Sequence, residues 1–90
     1  MVTKIDVTHA QSREQLHKII STALQFPDYY GNNWDAFDEC ATDPDVEMPE
    51  SVLIIGIDDL SRKLPREAKL MRNCFTRAST DRMFALNWKD

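Results

Sequence analysis

The run SVLIIGI, residues 51–57, constrains the fold more than any other stretch. It is short, almost wholly apolar and rich in β-branched residues, the mark of a strand buried on both faces. Two further segments read as strands. VTKIDV, residues 2–7, alternates small or charged residues with apolar ones, and Phe84, Leu86 and Trp88 alternate near the end of the sequence. Helical patterns lie between them. Ser12 and Gln15 have capping-box spacing, and Leu16, Ile19, Ile20, Ala23 and Leu24 then follow on one helix face until Pro27. YYGNN is a turn: Gly31 permits positive φ, and asparagine tolerates it. Asn33 caps a second helix with Trp34, Phe37 and Ala41 as its apolar stripe. Asp58 or Ser61 is suited to cap a short turn, and Pro65 to open a helix whose core face is Leu64, Ala68, Met71, Phe75 and Ala78. The order strand, two helices, strand, one or two helices, strand predicts an α/β fold with parallel pairing.

At 90 residues the chain makes a single domain, residues 1–90. No apolar run approaches the length of a membrane span, and MVTKIDV lacks the pattern of a secretory leader, so a cytoplasmic location is expected. Cys40 and Cys74 read as ordinary reduced residues, and with His9 and His17 they complete no zinc spacing. Both histidines read as surface residues. No cofactor is implied.

The net charge of −4 conceals a strong asymmetry. From Asp28 to Asp59 there are ten acidic residues and no basic ones, while the remainder has five acidic and eleven basic. That segment repels phosphate, which argues against nucleic-acid binding through it. Arg62, Lys63, Arg66, Lys69 and Arg72 form a basic run that reads as a solvated helix face, with a weak nucleic-acid patch as the alternative.

The richest stretch is FPDYYGNNWDAFDEC, residues 26–40, with five aromatics and four carboxylates. On a helix from Trp34, the aromatics face inward and Asp35, Asp38 and Glu39 gather along one outer edge. Like charges at that spacing cost about 0.2–0.5 kcal/mol, so the cluster invites a reason. A solvated face is one. Acid–base chemistry by Asp35 and Glu39 is another, weakened by the lack of basic residues nearby in sequence. Calcium binding by DPDVEMPE is a third, but the EF-hand spacing and glycine are missing. The fourth is a docking surface for a basic protein, with exposed tyrosine as anchor and charge as steering.

The same stretch resembles the signature of the barstar family, cytoplasmic inhibitors of secreted bacterial ribonucleases: Pro, acid, Tyr-Tyr-Gly, any residue, Asn, any residue, Asp-Ala, then acid and Cys. The resemblance implies a two-layer fold, a three-stranded parallel sheet packed with three to four helices. It implies a non-enzymatic inhibitor that forms a 1:1 complex with a basic bacterial ribonuclease, without nucleic acid or membrane. It implies partner contacts from Tyr29, Tyr30, Gly31, Asn33, Asp35, Asp38, Glu39 and Thr42. Glu39 stands where the family's central acid, usually Asp, enters the nuclease site. The family's acid on the later helix falls near Thr76 or Arg77, neither of which is acidic. A barstar-like immunity module for another basic protein or toxin is the alternative. The resemblance also leads to the expectation of a cis Met48–Pro49 bond.

Overall fold

A computed structural model describes residues 2–90. The elements are β1 (Val2–Asp6), α1 (Arg13–Leu24), α2 (Trp34–Thr42), β2 (Ser51–Ile55), α3 (Ile57–Lys63), α4 (Pro65–Arg82) and β3 (Ala85–Lys89). The sheet has the order β1-β2-β3, with both pairs parallel. The α/β class and the three-stranded parallel sheet are therefore as expected, with four helices.

The local signals act as the sequence implies. Ser12 Oγ accepts the Gln15 amide, and Gln15 Oε1 reaches back to the Gln11 amide at 2.7 Å. Asn33 Oδ1 accepts the Ala36 amide at 2.7 Å, which starts α2. Pro65 opens α4, where a missing amide is no loss. One core joins the elements: Ile5 and Val7 of the first strand and its exit, Val52 and Ile54 of β2, Leu16 and Ile20 of α1, Phe37 of α2, and Met71 and Phe75 of α4. Phe37 and Phe75 meet with ring centroids 4.7 Å apart, locking α2 onto α4.

Three local expectations are corrected. β2 is not buried on both faces: Val52 and Ile54 are fully covered, whereas Leu53 and Ile55 are half-buried beside Lys4, Asp6, Asn87 and Lys89. A run of apolar residues does not reveal how many layers cover it. Neither Asp58 nor Ser61 caps α3; Gly56 does, at φ 88°. A Cβ on Gly56 would lie 2.3 Å from Thr8 Oγ1 and 2.9 Å from the Thr8 amide, so side chain and backbone angle are both forbidden there. In the YYGNN turn, where both glycine and asparagine suit a positive φ, the left-handed residue is Asn32 (φ 53°). Finally, no peptide bond among the described residues is cis, Met48–Pro49 included. The ordinary trans preference prevails there.

Candidate docking site

The helix α2 has nine residues, and at about 100° per residue its sides are readily assigned. Phe37, Cys40 and Ala41 are buried, and Trp34 is half-buried against the core. Asp35, Glu39 and Thr42 point away from that stripe and are exposed. Asp35 lies in the first turn, where the positive end of the helix dipole favours a carboxylate. Among the described residues, neither Asp35 nor Glu39 takes part in an ion pair. Thr42 donates its hydroxyl to the Asp38 carbonyl at 2.7 Å.

Asp38 differs from its neighbours. It lies on the flank of α2 that meets α4, and Arg77 Nη2 donates to its Oδ2 at 2.9 Å and its Oδ1 at 3.2 Å. The bond and charge of Asp38 hold the Arg77 guanidinium above its usual pKa. The uninterrupted acidic segment of the sequence is thus broken in space by a cation 39 positions away.

The two tyrosines part company. Tyr29 is 71% exposed. Desolvation first, then Asp43, Cys40, Asp45 and Glu39, raise its phenol above the usual value. Asp43 and Asp45 therefore belong to the same electrostatic neighbourhood as Glu39. Tyr30 turns inward instead. Its Oη lies 2.6 Å from His17 Nδ1, and its ring packs on Phe26 at 5.3 Å. Burial pushes the Tyr30 phenol up. Gly31 and Asn33 stay exposed beside it, joined by an Asn33 Nδ2 to Gly31 carbonyl bond of 3.2 Å.

This arrangement overturns the reading of His17 as a surface residue. It is fully buried, its ring centroid is 4.4 Å from that of Trp34, and its Nε2 has no partner among the described residues. The cause is tertiary: residue 17 flanks the apolar stripe of α1, and the Tyr30–Trp34 segment closes over it. Burial, with Arg13 adding repulsion, lowers its pKa to about 4.

The far end of the strip is tied by Arg82 of α4, which sequence reasoning missed. Nη1 donates to the carbonyls of Ala41 at 2.8 Å and Asp43 at 2.9 Å, and Nη2 donates to Val46 at 2.5 Å. The carbonyl at the end of α2 and those of the following loop are satisfied by one guanidinium. Both cysteines are free and buried, and burial raises both thiols. Among the described residues, no helix is long and apolar enough to cross a membrane.

Exposed Asp35 and Glu39, with Tyr29 at the preceding turn, make the outer edge of α2 an anionic ridge. The family model described as Barstar (barnase inhibitor) matches residues 1–87. The chain belongs to the barstar family. A search of curated proteins returns no match. Barstar-family proteins are non-enzymatic inhibitors of ribonucleases, and the reading of Asp35 and Glu39 as acid and base is set aside. The four-helix, three-stranded parallel arrangement is consistent with the barstar fold.

Proposed function

We propose that this chain forms a 1:1 complex with a barnase-like ribonuclease and blocks its active site with the outer edge of α2 and the Tyr29 turn. The observation that carries the reading is the pair Asp35 and Glu39: one helical turn apart, exposed, and outside any ion pair among the described residues. A ribonuclease site gathers cations to hold a phosphate. A carboxylate takes that place by accepting charge-assisted, bidentate hydrogen bonds. In this reading Glu39 enters the site, Asp35 and Thr42 flank it, and Tyr29 supplies apolar contact. Tyr30, Gly31 and Asn33 shape the turn from behind. Asp43 and Asp45 extend the field that steers approach.

Calorimetric titration against barnase tests this. Glu39→Ala is expected to weaken binding by about 2–5 kcal/mol, the usual loss when one partner of a buried interfacial charge pair is truncated. Folding stability should move by about 0.5 kcal/mol or less, since the residue is exposed. Unchanged affinity would remove Glu39 from the contact.

A further inference from the structure

Arg77 is a cation on the flank of the anionic ridge. Its side chain is 59% exposed even while paired with Asp38. Among the described residues, its side-chain hydrogen bonds all run through Nη2, to both Asp38 oxygens and to Cys74 Sγ at 3.6 Å. Nε and Nη1 have no acceptor among the described residues, so part of the guanidinium fork remains open. The residue is held in place by its neighbours, and it remains accessible at the edge of the surface that carries Asp35, Glu39 and Thr42.

We propose that Arg77 sets the partner specificity of this face: it neutralises Asp38 and places a fixed cation at the rim. The chain therefore selects a ribonuclease that offers an acceptor, such as a carboxylate, opposite Arg77, and disfavours one whose site is cationic throughout. The inference rests on the docking reading above. Its physical basis is that discrimination between partners comes from repulsive elements as much as from attractive ones. A nuclease surface that collects phosphate is basic. A partner cation brought against Asp38 meets Arg77 at the same time, and in a surface closed to water neither charge is screened as it is in solution. Only a partner with an acceptor there turns the guanidinium from an obstacle into a contact, and its planar fork suits a carboxylate.

Barnase is the probe for the test. Inhibition constants at one ionic strength are measured for the unaltered chain, Arg77→Gln, Arg77→Glu and Glu39→Ala, with thermal stability in parallel. Arg77→Gln is expected to tighten binding about 10-fold, and Arg77→Glu further, by removing and then reversing the rim charge. Stability should fall slightly in both, because the tie to Asp38 is lost. Tighter binding by a less stable chain is not produced by a purely structural role. If Glu39→Ala weakens binding while both Arg77 variants bind barnase no better, Arg77 is only a tie between helices and the inference is overturned. If Glu39→Ala changes nothing, the docking reading itself fails. Lack of inhibition by every chain overturns both.

Discussion

Lowering the pH from neutral towards 4 adds a proton to His17 readily in the unfolded chain and only with difficulty in the folded one. The unfolded imidazole titrates near 6.5, while burial and the Arg13 charge bring the folded value down to about 4, against a smaller opposing effect of Glu14. Between these values the unfolded state binds one more proton, so stability rises with pH by about 1.4 kcal/mol per pH unit. The contribution is complete above 6.5 and is lost as the pH falls towards about 4. Across that window the loss comes to about 3 kcal/mol, a large part of the roughly 5–15 kcal/mol by which domains are stable. Two carboxylates with shifted values act differently. Asp6, whose carboxylate is held below its ordinary value by accepting from the Thr8 side chain and then the Thr8 amide, contributes stability that is lost only in the acid range below the usual carboxylate value. Asp90, raised by Asp58, acts in the opposite sense but is fully exposed. Urea denaturation from about pH 7 to about pH 4.5, on the unaltered chain and on His17→Leu, isolates the effect. The unaltered chain should lose stability along the slope above, and His17→Leu should not. Parallel profiles for the two would refute the argument.

Arg82→Met should destabilise the chain by about 1.5–3 kcal/mol, the range for hydrogen bonds to a charged group; equilibrium denaturation reads this, and amide exchange should speed up around Val46. Asn33→Ala removes the α2 cap and should cost about 1 kcal/mol in the same assay. Association with barnase should slow steeply with added salt, because the Debye length is only about 8 Å at physiological ionic strength. A flat stopped-flow series would show that the acidic ridge is not the docking surface.

What the sequence disclosed was local. Ser12, Asn33 and Pro65 act within one turn of themselves, and the apolar stripes of α1, α2 and α4 repeat every three or four residues, so element types and order were legible. The exposed Asp35–Glu39 edge followed from the same helical spacing. What stayed hidden was set by distant partners. His17 is interred by Tyr30 and Trp34, Gly56 is required by Thr8, and Arg77 and Arg82 reach 39 and up to 41 positions back to α2 and its exit. The half-open side of β2 was equally illegible, because apolar character records burial but not by what.

The ties between α4 and α2 have a consequence for how far such a protein can be reduced. Glu67 holds Trp34 Nε1 at 3.2 Å, Arg77 holds Asp38, and Arg82 holds the carbonyls of Ala41 and Asp43. Helix α2 is thus splinted at its start, middle and end by one neighbour. Alone, a helix of nine residues would barely form in water, since isolated helices shorter than about 12–15 residues are marginal. A synthetic peptide spanning residues 26–42 would contain Tyr29, Asp35, Glu39 and Thr42, yet it would have to freeze its own backbone at about 1–2 kcal/mol per residue on meeting a target. The contact strip holds the chemistry of recognition, and the shape that makes it usable resides in a helix that mostly lies behind it.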